Sequence, residues 1–267
     1  MRVGLRCAVT ARRWGEPAGP WSCRDEGEKG MQLLGNVLLL ILAYVLGSIP
    51  FGLVLVRLAT GKDLRQEHSG RTGGTNAGRA AGLWAGVATA LLDGSKAATA
   101  VWLVRAAQPE AFWLHVAAGL LAIVGHNYSI FLIERVEGKP RLRGGAGGAP
   151  SVGAAIGLWA PSAMITIPAA VLILYGVGYA SLTTLSIGLT CVALFAARAM
   201  LGIGPWEYAA YGVAAEILLM LALRSNIQRL MQGNERLVGW RARRAQRLAA
   251  SSPETPASAA SERNRTT

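Results

Sequence analysis

Two glycine-rich loops carry most of the residues whose types and spacing could do chemistry. The first loop, residues 68–79, combines glycines, hydroxyls, an amide and arginines, and its candidates are Ser69, Gly70, Gly73, Thr75, Asn76 and Arg79. Neighbouring glycines allow backbone N–H groups to converge into a concave anion site. An arginine such as Arg79 can hold a phosphate through two parallel hydrogen bonds. This pattern favours a phosphate-binding loop.

The second loop, residues 141–151, places arginines beside a run of glycines at the start of a long apolar segment. The residues that fit an anion site are Arg143, Gly144, Gly145 and Gly147. A helix that begins after them would add the partial positive charge of its N-terminus. Either loop alone also fits a flexible basic linker, but the two together favour one or two phosphate sites on one face of the molecule.

Ionisable residues also stand inside the apolar runs. Asp93 and Lys96 are three residues apart, so a helix places them on one face. Charged groups within a membrane are costly, and they are usually paired with each other or functional. His126 lies near the end of another apolar run. A structural ion pair with a structural histidine, and a set of residues that supports or lines a site, both remain open here.

Several standard sites are missing from the sequence. It contains no Gly-x-Ser-x-Gly motif, no His-x4-Asp motif and no phosphate-binding Gly-x4-Gly-Lys-Ser/Thr motif. No group of histidines, cysteines and carboxylates has the spacing of metal ligands. We therefore expect chemistry without a nucleophilic triad, a metal or a cofactor.

Composition indicates a membrane protein. Of the 267 residues, 52% are hydrophobic and only 16% are charged, whereas about 25% are charged in ordinary soluble domains. The mean hydropathy is +0.35, yet the net charge is +12. These values argue against a disordered chain. The basic residues flank apolar runs and do not form a soluble basic face, so we expect no nucleic-acid partner.

The apolar runs and basic loops predict the fold class. Runs of about 20 apolar residues can cross a bilayer, and such runs occur at 33–58, 80–104, 111–133 and 151–222. Loops 61–79 and 134–150 and the tail are rich in arginine and lysine, so the positive-inside rule places all three in the cytoplasm. Residues 151–223 must then cross an even number of times, which four short helices achieve if Trp159–Pro161 is a turn. We expect an all-α, polytopic membrane bundle with seven transmembrane helices; five crossings with a re-entrant segment is the alternative.

Three segments of the chain differ in composition. Residues 1–30 lack the hydrophobic stretch of a signal peptide. They indicate either a disordered leader or an incorrectly assigned start, in which case the protein begins at Met31. Residues 31–235 are expected to form the membrane domain. In the tail, 236–267, the arginine-rich part up to residue 247 is expected to lie along the anionic inner leaflet, and the remainder to be disordered.

Ordered groups of residues resemble the motifs of one enzyme family, the bacterial acyl-phosphate:glycerol-3-phosphate acyltransferases. The matching residues run from Tyr44-Val-Leu-Gly47-Ser48-Ile-Pro50-Phe-Gly52 through Ser69-Gly70-x-x-Gly73-x-Thr75-Asn76-x-x-Arg79, Leu92-Asp93-x-x-Lys96, Gly125-His126 and Gly144-Gly145-x-Gly147-x-Ala149 to Ser181-Leu182 and Asn226-Ile227-x-Arg229-Leu230-x-x-Gly233-x-Glu235. The resemblance implies seven membrane helices with the carboxyl end in the cytoplasm of a bacterium, and a site on the cytoplasmic face of its inner membrane.

The same resemblance implies a reaction and its partners. An acyl group would pass from acyl phosphate to the 1-hydroxyl of glycerol-3-phosphate within the lipid membrane, without a dedicated protein base. Ser69 and Arg79 would bind substrate phosphate, and Ser181 and Asn226 would position the glycerol phosphate or the acyl carbonyl. Asp93 and Lys96 would support the site. The further residues expected to bind substrate or phosphate are Gly70, Gly73, Thr75, Asn76, His126, Arg143, Gly144, Gly145 and Gly147.

The sequence also departs from the pattern of the family. Ala146 stands where the family usually has lysine, Pro150 where it has threonine, Leu223 where it often has histidine, Arg71 where it has asparagine, and His68 where it has glycine. Loss of one charge-stabilising group costs about 10²–10³-fold in rate, although Arg71 or Arg143 could restore the charge. Three hypotheses result: an active, diverged acyltransferase, a non-catalytic homologue that binds lipid or phosphate, and, with least support, a small-solute transporter.

Overall fold

A computed structural model describes residues 22–251 as a helical bundle with a short hairpin at one end. In chain order, the elements of this part are α1 (Ser22–Ser48), α2 (Phe51–Thr60), α3 (Gly74–Ala81), α4 (Leu83–Ala107), α5 (Phe112–Asn127), β1 (Ser129–Val136), β2 (Lys139–Arg143), α6 (Gly148–Leu158), α7 (Ala163–Gly176), α8 (Ala180–Met200), α9 (Trp206–Met231) and α10 (Gly239–Ser251).

Proline and glycine set the helix boundaries. Pro50 separates α1 from α2, and Gly82, at φ 90°, separates α3 from α4. The apolar stretch 151–223 is divided into four helices, α6 to α9. A turn from Trp159 to Ser162 separates the first two, so this division of the stretch is confirmed.

The lengths of the helices fit a membrane protein. Four stretches of the described chain are long and apolar enough to cross a bilayer: Gly27–Thr60, Leu83–Ala107, Ala180–Met200 and Trp206–Met231. Shorter apolar helices cover Phe112–Asn127, Gly148–Leu158 and Ala160–Gly176. Large apolar side chains are exposed on the outside of the bundle; Leu172, for example, is 71% exposed. Such a surface is typical of a protein whose helices contact lipid.

The hairpin corrects two of the sequence predictions. The structure is predominantly helical but not all-α, because β1 and β2 form an antiparallel pair that spans the end of the third apolar run and the first part of the expected loop 134–150. The third apolar run also does not continue as helix to residue 133, since α5 ends at Asn127. Ile130, Phe131 and Ile133 favour a strand, and Glu137–Gly138, both with positive φ, form the two-residue turn that such hairpins use.

Small residues let the helices pack closely. A Cβ on Gly153 would overlap the carbonyl of Gly94, which brings α6 against α4, and a Cβ on Gly125 would overlap the Tyr44 carbonyl of α1. Tyr211 fills the centre of the bundle, fully buried, and its hydroxyl donates to the Ser151 carbonyl at 2.8 Å. These contacts hold α6 against α4 and α9, and α5 against α1. Helices α4, α5 and α9 carry polar residues considered next.

The two ends of the sequence extend past the described residues. Helix α1 begins at Ser22, so the boundary expected after residue 30 lies within a helix. Residues 1–21 and 252–267 lie outside the described part, together with most of the expected leader and the expected disordered end. The arginine-rich part of the tail forms α10.

Candidate active site

An open cavity of about 620 Å³ lies at the end of the bundle where the hairpin, the loop before α3 and the last turns of α9 meet. Its lining residues are His68, Ser69, Gly70, Arg71, Arg79, Asn127, Tyr128, Arg141, Leu142, Arg143, Gly144, Gly145, Leu221, Ala222, Arg224, Ser225, Asn226, Arg229, Glu235 and Arg236. The cavity therefore joins residues of both glycine-rich loops with Asn226, Arg229 and Glu235 of the last matched motif.

The cavity is strongly basic. Seven arginines line it, against one acidic residue, Glu235. The Glu235 carboxylate accepts hydrogen bonds from Asn226 Nδ2 at 3.0 Å and from Arg229 Nε at 3.3 Å. Because the single carboxylate among the lining residues is already engaged, the cavity presents an excess of positive charge that suits a phosphate.

The Arg79 guanidinium is free to bind a ligand in the cavity. Arg79 lies in the last turn of α3 and lines the cavity, and its side chain makes no hydrogen bond or ion pair with any other described residue. Burial and the neighbouring charge of Arg236 lower the pKa of the Arg79 guanidinium. The group still carries its charge at neutral pH, because a guanidinium keeps its proton in proteins.

Arg71 connects three segments of the cavity wall. Its Nη1 donates to the Gly145 carbonyl at 3.2 Å, and its Nη2 donates to the Ala222 carbonyl at 2.6 Å. The same Nη2 lies 3.4 Å from Asn226 Oδ1. Burial and the charge of Arg229 lower the pKa of the Arg71 guanidinium. From the sequence, Arg71 was a departure from the family that could restore the missing charge, and the structure places it between the glycine turn and α9.

The glycines of the two loops serve close packing. The Gly145 N–H donates to the His126 carbonyl at 2.9 Å, and the Gly70 N–H donates to the Glu67 carbonyl at 2.9 Å. A Cβ on Gly145 would overlap the His126 imidazole, and a Cβ on Gly144 would overlap the His126 carbonyl. These two N–H groups are thus engaged within the protein, and the positive groups facing the cavity here are arginine side chains.

Asp93, Lys96 and His126 form a buried cluster beside the glycine turn. Lys96 Nζ lies 2.7 Å from Asp93 Oδ1 and 3.2 Å from His126 Nδ1, and it donates to the Ile49 carbonyl at 2.7 Å. His126 Nδ1 is 3.5 Å from Asp93 Oδ1. The cluster is absent from the cavity lining. It joins the α1–α2 break, α4 and the end of α5 beneath the turn that His126 supports.

Other predicted residues also lie outside the cavity lining. Asn76 is buried, and its Nδ2 donates to the carbonyls of Leu64, Glu67 and Arg71 at 2.8–3.1 Å. It therefore shapes the first loop from within. Gly73 and Gly147, the latter at φ 89°, are the N-cap residues of α3 and α6, and Thr75 is exposed. Ser181 is buried at the start of α8, and its hydroxyl has no hydrogen-bond partner among the described residues.

Sequence analysis missed several arginines of the cavity. Arg224, Arg229 and Arg236 were interpreted as topology signals of the tail, yet they line the cavity beside Asn226. One signal was present: Asn226 and Arg229 are three residues apart, which places them on one face of α9. Arg236 follows the helix, and only the tertiary fold shows its position.

Comparison with known proteins settles the family. The family described as Glycerol-3-phosphate acyltransferase matches residues 37–233, which is most of the chain. The chain belongs to this family. A glycerol-3-phosphate acyltransferase of Thermus thermophilus is 37% identical over 203 residues, covering 76% of this chain and 95% of the relative. One of Myxococcus xanthus is 36% identical over 201 residues, covering 74% and 97%.

Solved structures show the same fold. The crystal structure of an integral membrane glycerol 3-phosphate acyltransferase in its glycerol 3-phosphate form gives a TM-score of 0.66 at 28% identity, and the match covers 77% of this chain and 96% of the other. The lysophosphatidic acid form gives 0.64 at 27% identity with the same coverage. The resemblance deduced from the motifs is thereby confirmed, as is an integral membrane fold for this family member.

Proposed function

We propose that this chain transfers a fatty acyl group from acyl phosphate to the 1-hydroxyl of glycerol-3-phosphate, and releases lysophosphatidate and inorganic phosphate. The observation that carries the proposal is the cavity with seven arginines, in a chain whose relatives are named for this acceptor. Both substrates bear a phosphate, and the volume of about 620 Å³ lies within the usual range for ligand pockets of about 300–1,000 Å³.

The cavity also suits a substrate with a lipid tail. Leu142 and Leu221 line it and are 38% and 57% exposed, next to the exposed ring of Tyr128. An acyl chain can follow these apolar side chains while its phosphate meets the arginines. This arrangement keeps the tail in lipid and the reacting end at the polar boundary of the membrane.

The reaction needs positioning and charge neutralisation more than a protein base. The glycerol hydroxyl oxygen attacks the acyl carbonyl carbon, the bond from that carbon to the phosphate oxygen breaks, and the departing phosphate accepts the hydroxyl proton. Glu235 is engaged by Asn226 and Arg229, which fits a mechanism without a carboxylate base. Fixed donors around the developing negative charge then supply the rate acceleration.

The residue roles in this proposal follow from position. Ser69 and Arg79 bind phosphate at the cavity wall, with Gly70, Arg143, Gly144 and Gly145 around them. Asn226 orients the glycerol phosphate from α9, and Ser181 contributes from the buried start of α8. Asp93, Lys96 and His126 hold the glycine turn, Asn76 holds the first loop, and Gly73, Thr75 and Gly147 shape the helix starts beside it.

The position of Arg71 favours an active enzyme over a non-catalytic homologue. The two most consequential departures, Ala146 and Leu223, directly follow Gly145 and Ala222, whose carbonyls the Arg71 guanidinium contacts. A cation therefore stands beside both positions. Arg143, the other candidate, is held by Glu134 at 3.1 Å. Pro150, the third departure, is buried in the first turn of α6, where proline is well tolerated.

The orientation is part of the proposal. We place the cavity and the carboxyl end in the cytoplasm of a bacterium, at its inner membrane, with seven crossings. Four long and three shorter apolar helices support that number. The basic residues that gather at the cavity end support the orientation through the positive-inside rule.

The test is an assay of the purified protein in detergent with acyl phosphate and glycerol-3-phosphate. We expect release of phosphate and lysophosphatidate in equal amounts. Ala146→Lys serves as the comparator. No turnover in the natural chain, together with turnover in Ala146→Lys, would identify a non-catalytic homologue, which is the second candidate because of Ala146 and Leu223. Solute uptake in proteoliposomes without any turnover would instead indicate a transporter.

A further inference from the structure

Helix α10 lies beyond the part of the chain that matches the family, which ends at residue 233. It nevertheless has a defined seat in the bundle. The Trp240 Nε1 donates to the Tyr175 carbonyl at 3.0 Å, and Arg241 Nη1 donates to the Gly176 and Val177 carbonyls at 2.7 and 2.9 Å. These acceptors are the last carbonyls of α7, which a cation at a helix C-terminus satisfies well.

These hydrogen bonds determine which face of α10 packs against the bundle. Trp240, Arg244 and Leu248 are spaced by four residues, so they form one stripe along the helix. Together with Leu237, Arg241, Val177 and Tyr179, they line a cleft of about 450 Å³ between α10 and the α7–α8 turn. The cleft therefore has apolar walls with a cation in the middle of one side.

The charge of this region has one sign. Residues 236–251 contain five arginines and no acidic residue, and no acidic residue lines the cleft. Arg241 is engaged by the α7 carbonyls, whereas Arg244 lines the cleft, and Arg247 follows it three residues later along the same side of the helix. A ligand that complements these arginines and the apolar walls of the cleft has a negatively charged group next to an apolar group.

The neighbouring surface indicates where such a ligand comes from. On α7, Leu172 and Tyr175 are 71% and 55% exposed, and the Tyr175 carbonyl accepts a hydrogen bond from Trp240, which lines the cleft. Trp240, 46% exposed, has the amphipathic ring that is enriched at membrane interfaces. The cleft thus opens at the boundary between the lipid-facing surface and the basic end of the protein.

We propose that α10 and the α7–α8 turn form a binding site for an anionic phospholipid of the surrounding leaflet. The lipid phosphate meets Arg244 and Arg247, and an acyl chain lies against Trp240, Leu248 and Val177. This site is separate from the cavity that holds the substrates, and the residues that α10 contributes to it lie outside the family match.

The experiment uses the full chain in phosphatidylcholine nanodiscs that contain a small fraction of either brominated phosphatidylglycerol or brominated phosphatidylcholine. Bromine quenches tryptophan fluorescence at contact. The signal of Trp240 is the difference between the natural chain and Trp240→Phe. We expect more quenching by the anionic lipid, with a preference of about fivefold for each arginine that contacts it, as about 1 kcal/mol per arginine implies.

Two matched variants test the arginines. Arg244→Gln with Arg247→Gln is expected to abolish the preference for phosphatidylglycerol. Arg135→Gln with Lys139→Gln removes the same charge from exposed positions on the hairpin and is expected to retain it. Equal quenching by both lipids in the natural chain, no quenching of Trp240, or an unchanged preference after loss of Arg244 and Arg247 would each overturn the proposal. Thermal unfolding checks that the variants are folded.

Discussion

Arg105 and Arg198 lie at the end of the bundle opposite the cavity, and both use their guanidinium groups on the protein itself. Arg105 Nη1 donates to the Gly157 and Leu158 carbonyls at 2.7 and 3.2 Å, which satisfies the end of α6. Arg198 stacks 3.7 Å above the Trp159 ring and donates to the Ile203 carbonyl. Both guanidinium groups are therefore engaged by neighbouring parts of the fold.

The arginines at the cavity end are arranged differently. Within the described chain, the side chains of Arg79, Arg141, Arg224 and Arg236 make no hydrogen bond or ion pair, although all four line one cavity. The same residue type therefore has two uses in one bundle. An arginine whose guanidinium N–H groups have no protein partner can bind a substrate, whereas an arginine whose N–H groups are engaged by carbonyls stabilises a helix end.

The largest effect is expected for Arg79. Arg79→Ala removes an unpaired cation from the cavity and should lower kcat by about 10²–10³-fold, the usual cost of one charge-stabilising group. Phosphate release measures the rate, and thermal unfolding should be nearly unchanged because the side chain holds nothing else in place. Normal turnover in Arg79→Ala would show that the cavity end and the opposite end do not differ in the way proposed.

Arg71 combines both uses, since it bridges backbone carbonyls and also brings charge into the cavity. Arg71→Asn should lower kcat by about 10²-fold, because the glycine turn and α9 lose their connection and small misplacements are costly. Arg71→Lys keeps the charge but cannot bridge the Gly145 and Ala222 carbonyls. If Arg71 acts only through its charge, Arg71→Lys should recover the natural kcat; if it positions the two segments, kcat should stay low. Arg143→Gln, whose partner is Glu134, is the comparison and should have the smaller effect.

The contrast between the two ends also explains what sequence analysis could predict. The break at Trp159–Pro161 is local, so the division of residues 151–223 into four helices followed from the sequence. The hairpin did not, because a short apolar run such as Ile130–Ile133 fits a helix or a strand equally well. Periodicity also cannot tell whether an arginine near a helix end meets a carbonyl or a cavity, and Arg236 was therefore taken only as a topology signal.

Asn76 shows the same ambiguity for an amide. Its Nδ2 donates to three loop carbonyls, so Asn76→Ala leaves buried acceptors without partners and should destabilise the fold by about 1–3 kcal/mol. The neighbouring Thr75→Ala is the matched control, and an exposed position of this kind should change stability by less than about 0.5 kcal/mol. Thermal unfolding in detergent measures both. A stable Asn76→Ala with weakened substrate affinity would indicate direct binding instead.

At the opposite end, Arg105→Gln should act on stability alone. The loss of its two hydrogen bonds to the end of α6 should cost about 1 kcal/mol, because the side chain is exposed and water replaces part of the interaction. The kcat per folded molecule should stay within error of the natural chain, as judged by phosphate release after correction for the active fraction. A large fall in kcat would mean that α6 transmits changes at its end to the glycine turn at its start.

The smallest effect is expected for Asp63, which pairs with an arginine near the cavity but outside its lining. Hydrogen bonds from Arg65 lower the pKa of the Asp63 carboxyl from 3.8 to about 2. Since the pKa is lowered on folding, the pair stabilises the fold above about pH 4, and this contribution is lost as the pH falls through about 2. Asp63→Asn should therefore cost less than about 1 kcal/mol at pH 7, as partly exposed ion pairs do, and clearly less at pH 2, where most of the contribution has been lost. Thermal unfolding at both values gives the difference, and an equal cost at both would show that Asp63 acts through shape and not through charge.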